Sequence, residues 1–253
     1  MRAKFVVGNW KLNGSLSANE ALLEAVLPGV QKAGNRQCAV CVPAPYLSQV
    51  KSLLEGTALA WGSQDVSAHD KGAYTGEVSG PMLKEFGCSL AIVGHSERRT
   101  LFGDTDAVVV EKFIAARRAG LTPIFCVGET LAEREQGVTE KVLARQVDAL
   151  LDKVGAAGVD GAIVAYEPVW AIGTGKTATS AQADEAQAFI RARVAARDAA
   201  VAGRLPILYG GSVKGSNAAE LFAMPNVDGG LVGGASLVAE DFVAIWRAAV
   251  AAN

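Results

Sequence analysis

The chain has 253 residues, half of them hydrophobic, with 24 basic and 26 acidic side chains and a net charge of −2. Both signs are mixed along the sequence, which leaves no basic stripe for nucleic acid and no polybasic flank for a membrane surface. No apolar run reaches the length of a membrane span, and residues 1–9 meet polar side chains too soon for a secretory signal. A cytoplasmic protein is the expectation.

In chain order, short apolar runs predict strands at 4–9, 37–42, 58–64, 89–94, 121–127, 161–167, 205–209 and 227–232. Helical stretches separate most of them. Thr130 with Glu133, and Thr179 with Gln182, have the spacing of capping boxes. Leu143, Val147, Leu150 and Leu151 share one helical face, as do Ala186, Phe189, Ile190 and Val194. Weaker helices are expected near Lys51 and Val110. Strand and helix alternating eight times in about 250 residues is the size of a (β/α)8 barrel, with parallel strands inside an outer ring of helices. A doubly wound sheet alternates in the same way. Polar groups at the ends of several different strands favour the barrel, because they fit a ring of strand ends around one pocket. No linker or composition shift divides the chain, so residues 1–253 are expected to form one catalytic domain.

The first run ends in Asn9, Lys11 and Gly14, an amide and a cation that could serve an anionic substrate. The second contains Cys38 and Cys41, a CxxC spacing. Within a strand, residues three apart face opposite sides, and His69 and His95 offer no second half for a zinc site, so buried structural thiols are expected. The third leads into a long loop, 65–77, whose tip holds Tyr74 and Thr75 between glycines and has the form of a docking element. His69 in that loop is expected to be exposed. The fourth meets His95, with Ser96 as the expected helix N-cap. The positive end of that helix disfavours the imidazolium, leaving a neutral ring able to donate to a carbonyl; a histidine that simply caps or packs at the strand end is the other reading.

The sixth run ends in Glu167 and Pro168. A carboxylate is expensive to bury, so one at the mouth of an apolar strand implies work, here that of a base. Residues 170–176 follow, with Gly173, Thr174 and Gly175 suited to a moving lid whose bare N–H groups meet an anion. The GKT at 175–177 resembles the tail of a nucleotide-binding P-loop, but Trp170 stands where that motif needs glycine. Paired glycines close the last two strands, at Gly210 and Gly211 before Ser212 and at Gly233 and Gly234. Barrels often bind phosphate there.

These motifs together resemble the triosephosphate isomerase family almost end to end. The matching segments are GNWKLNG at 8–14, GAYTGE at 72–77, VGHSERR at 93–99, CVGE at 126–129, AYEPVWAIGTGK at 165–176, YGGSV at 209–213 and GLVGGASL at 230–237. Ser63 stands where alanine is commoner. The resemblance implies a homodimeric isomerase of glycolysis and gluconeogenesis. It would interconvert dihydroxyacetone phosphate and D-glyceraldehyde 3-phosphate through an enediolate, without metal, nucleotide or other cofactor. It implies Glu167 as base, His95 as neutral electrophile, Lys11 as fixed cation and Asn9 as a neighbouring donor. It also implies Gly173, Ser212, Gly233 and Gly234 as phosphate ligands, Glu97 as a supporting carboxylate and Thr75 as the tip reaching a partner subunit. In that family the neutral histidine and the closing loop are long-standing examples of pKa tuning and gating. Two other readings stand beside it: a Schiff-base aldolase using Lys11, and a non-catalytic barrel that binds a phosphorylated ligand.

Overall fold

The computed structural model describes residues 2–173 and 177–252. Eight parallel strands pair in sequence order and the last closes onto the first. They are β1 Phe5–Asn9, β2 Gln37–Val42, β3 Leu59–Ser63, β4 Leu90–Val93, β5 Thr122–Val127, β6 Ile163–Tyr166, β7 Ile207–Tyr209 and β8 Gly229–Val232. The helices are α1 Leu16–Val26, α2 Leu47–Leu54, α3 Gly80–Glu85, α4 Ser96–Phe102, α5 Asp106–Arg118, α6 Leu131–Glu135, α7 Thr139–Val159, α8 Ser180–Ala195, α9 Ala199–Arg204, α10 Ala218–Phe222 and α11 Ala239–Ala251. No helix among the described residues is long and apolar enough to cross a membrane.

Each predicted strand is present, and several are shorter than expected. Pro206 has no N–H to give a ladder, and β7 begins after it. Asp228 lies just before β8, where its carboxylate accepts the Ile207 N–H at 3.0 Å while its own N–H donates to the Ile207 carbonyl at 2.9 Å. Both capping boxes form as the spacing predicts. The weaker helices expected near Lys51 and Val110 are α2 and α5.

Alternation along each strand builds two cores. Phe5, Val7, Ala39, Cys41, Ile92, Ile124, Cys126, Ile163, Ala165 and Leu208 fill the barrel lumen. Their neighbours Val6, Cys38, Val40, Val93, Phe125, Val164 and Ile207 pack outward against the helices. Cys38 and Cys41 therefore do face opposite layers. All four cysteines are free and buried, and burial pushes each thiol up, Cys88 to about 12.

The same alternation explains where polar side chains emerge. Asn9 continues the lumen row of Phe5 and Val7, and Glu167 continues that of Ile163 and Ala165. Each stands one step beyond the last apolar layer, at the carboxyl mouth of the barrel.

Candidate active site

A cavity of about 310 Å³ opens at that mouth and is lined by Asn9, Lys11, His95, Glu167, Gly173, Ser212, Gly233 and Gly234. All eight residues expected to face substrate thus share one wall. Its size suits a small metabolite. Glu97 lines a neighbouring groove with Lys11 and His95, while Thr75 is exposed and lines neither cavity. Residues 174–176, the rest of the expected lid and the lysine of the P-loop-like GKT, lie outside the described residues.

Glu167 is only 2% exposed. Its Oε2 accepts the Ser96 N–H at 2.8 Å. Its Oε1 lies 3.3 Å from His95 Nε2 without the alignment of a hydrogen bond, and has no hydrogen-bond partner among the described residues. Half of a buried carboxylate is thus anchored and half is available, which is the condition a general base needs.

The N-cap of α4 is His95 itself, not Ser96 as the sequence suggested. His95 is extended, and its Nδ1 accepts the Glu97 N–H at 3.2 Å, so the ring does the capping. Ser96 instead spends its backbone N–H on Glu167. An acceptor at Nδ1 places the proton of a neutral imidazole on Nε2, the nitrogen that faces the cavity and Glu167.

Lys11 has the one positive φ, 54°, among the described non-glycine residues. Such backbone costs about 1–3 kcal/mol and persists only where its surroundings hold it. Here the Lys11 N–H donates to Asn9 Oδ1 at 3.0 Å, and its carbonyl accepts from Gln64 Nε2 at 2.8 Å. The ammonium pairs closely with Glu97. A Cβ built on Gly233 would meet Lys11 Cε at 3.4 Å, so the lysine stem runs against the glycine cradle. Gly234 then begins a short 3-10 turn ending at Leu237, whose first N–H groups have no partner of their own turn. Fixed cation and bare amides thus lie side by side in the cavity that Glu167 also lines.

Four residues outside the expected set complete the site. Gln64 props Lys11, as above. Gly128 lets the end of β5 approach Glu167: a Cβ there would fall 1.7 Å from the Glu167 carbonyl oxygen. Gly210 does the same from β7, where a Cβ would fall 2.8 Å from Glu167 Cγ. Glu129, fully buried, accepts from Tyr166 Oη at 3.1 Å and Trp170 Nε1 at 2.9 Å. Gly210 stands among the paired glycines of the sequence, and Gly128 and Glu129 lie in its CVGE segment, but nothing local shows what they touch. All four act through contacts between segments distant in the chain.

Among the described residues no group of three or more His, Cys, Asp or Glu side chains is placed to hold a metal ion. The fold and cavity define the class: a parallel (β/α)8 barrel with a polar, partly anion-seeking pocket at the carboxyl ends of its strands. The family model for triosephosphate isomerase matches residues 4–249. The chain is 62% identical to the triosephosphate isomerase of Thiobacillus denitrificans, over 98% of this chain and 99% of that protein. It is 61% identical to that of Dechloromonas aromatica, over 98% of this chain and the whole of its relative. With that of Nitrosomonas eutropha it shares 56% identity over 98% of both. The chain belongs to the triosephosphate isomerase family, and it is an isomerase of triose phosphates, interconverting dihydroxyacetone phosphate and glyceraldehyde 3-phosphate.

Proposed function

We propose that Glu167 is the base that carries the proton between the two carbons in this reaction. The observation that carries this is its buried carboxylate, with one oxygen anchored by Ser96 and the other unpartnered beside His95. His95, through Nε2–H, polarises the substrate oxygen as it gains enediolate character, with Asn9 as a neighbouring donor and Lys11 as counter-charge. One carboxylate serves both proton steps by holding the proton between them. Gly173, Ser212, Gly233 and Gly234 present N–H groups to the phosphate, and binding energy there, remote from the reacting carbons, helps drive closure that excludes water. Glu97 orients the Lys11 ammonium. The chemistry assigned to these residues calls on no cofactor, and the barrel as a whole is the catalytic domain.

The test is turnover of glyceraldehyde 3-phosphate, coupled to reduction of dihydroxyacetone phosphate, for wild type beside Glu167→Gln. Collapse of kcat in the variant with ligand affinity kept supports the assignment; a near-normal kcat removes Glu167 from the mechanism. Borohydride trapping with substrate separates this from the Schiff-base alternative, in which Lys11 would be modified.

A homodimer belongs to the same proposal. Leu12, 95% exposed, and Phe102, 67% exposed, flank the groove of about 360 Å³ beside the active site, and Tyr74 stands exposed on the nearby loop, stacked on the exposed His69 at 3.8 Å. Apolar side chains so placed call for a cover, and a second copy would bring its Thr75 loop into this groove. Sedimentation equilibrium tests it: a monomer at micromolar concentration overturns the dimer. A cytoplasmic location suits substrates that are charged metabolites.

A further inference from the structure

Glu129 has a second relation to the base beyond filling space. Its Oε1 accepts from Tyr166, the residue before Glu167, and from Trp170, three residues after it. Its backbone carbonyl accepts the Val169 N–H at 3.1 Å, and the adjoining Val127 carbonyl accepts the Glu167 N–H at 2.7 Å. The segment carrying the base is thus clasped on both flanks by one fully buried carboxylate and the strand end that bears it.

Buried carboxylates are commonly paired with a cation. Here the cation is Arg134, whose Nη1 donates to Glu129 Oε1 at 3.3 Å. Its guanidinium also lies over the Trp170 ring, 4.3 Å from the centroid. Arg134 sits in the last turn of α6, a helix of five residues fixed by the Thr130–Glu133 capping box. It therefore reaches the base segment by two routes, through charge on Glu129 and through stacking on Trp170.

We propose that Arg134 is a positioning residue for catalysis, setting the place of Glu167 through the Glu129–Trp170 clasp. Without the guanidinium, Glu129 loses a partner and Trp170 loses its stacking surface, the bonds from Tyr166 and Trp170 to Glu129 weaken, and the base shifts relative to substrate. Displacements of about 1 Å cost on the order of a hundredfold in rate. The inference rests on Glu167 being the base.

The test compares wild type, Arg134→Met and Arg134→Lys by kcat, KM and Tm, together with the fluorine resonance of Trp170 in protein labelled with 5-fluorotryptophan, assigned through Trp170→Phe. Arg134→Met is expected to lose about ten- to a hundredfold in kcat, with little change in KM and a shifted Trp170 resonance. Arg134→Lys keeps the charge but not the planar stack and is expected to fall between the two. The double variant Glu129→Gln/Arg134→Met should lose no more kcat than Arg134→Met, because both act through one clasp. A kcat near wild type in folded Arg134→Met, or a loss explained by its unfolded fraction alone, overturns the proposal. Full activity in Glu167→Gln would instead overturn the base assignment, while the Trp170 resonance would still report whether Arg134 holds the clasp.

Discussion

At the amino ends of the strands, Asp228 accepts from Arg2 Nε at 2.8 Å, from Arg191 Nη2 at 2.7 Å and from the Ile207 N–H at 3.0 Å. Beside it, Lys4 donates to the Phe222 and Val227 carbonyls. At the carboxyl ends, the equally buried Glu167 leaves Oε1 without a partner, and the buried Tyr209 hydroxyl and Glu129 Oε2 also lack one among the described residues. The barrel therefore carries buried charge at both mouths and satisfies it fully at only one. Charge at the amino end locks strands β1, β7 and β8 together. At the carboxyl end, Glu167 keeps an unfilled acceptor in a residue that lines the cavity, at the face where barrels place their chemistry.

This contrast can be broken from either side. The largest effect is expected from Glu167→Gln. It should lower kcat by about a hundred- to ten-thousandfold, the range for loss of a general base. Calorimetry should show no fall in Tm, since a partly unsatisfied buried charge is removed. At the other end, Asp228→Asn should leave two arginines facing a neutral amide and cost about 3 kcal/mol by denaturant titration. Its kcat per folded molecule should stay at the wild-type value; a large kcat loss there would erase the distinction between the two ends.

Gly210→Ala sharpens the comparison by disturbing the base without touching its charge. The new Cβ would meet Glu167 Cγ at 2.8 Å and the Tyr166 carbonyl at 3.1 Å. Displacing the carboxylate stem should cost about ten- to a hundredfold in kcat, read from steady-state rates beside an unchanged circular dichroism spectrum. The smallest effect is expected away from either mouth. Asp198 caps α9 by accepting from Ala200 and Val201 N–H groups at 2.8 and 3.0 Å. Asp198→Ala should cost about 1 kcal/mol in urea titration and nothing in kcat.

Much was legible in the sequence because it depends on local period and local chemistry. Alternation within each apolar run assigns the lumen row, and following that row to the end of the run places Asn9 and Glu167 at the mouth. Capping boxes and paired glycines are also short-range signals, and the structure has the boxes at α6 and α8 and the glycines on the cavity wall. The opposed faces of Cys38 and Cys41 follow from the same period.

Tertiary structure decided what depends on residues far apart in the chain. Ser96 looked like a cap on local grounds, yet its N–H is needed by Glu167, 71 positions away, and His95 caps in its place. No local rule announces that Lys11 will take a positive φ, because the bond from Gln64 that holds it comes from a different strand. The need for glycine at 128 and 210 arises only when β5 and β7 close against β6. Periodicity thus fixed which side chains reach the mouth, whereas closure of the barrel decided which of their hydrogen bonds are filled and which stay open at the cavity.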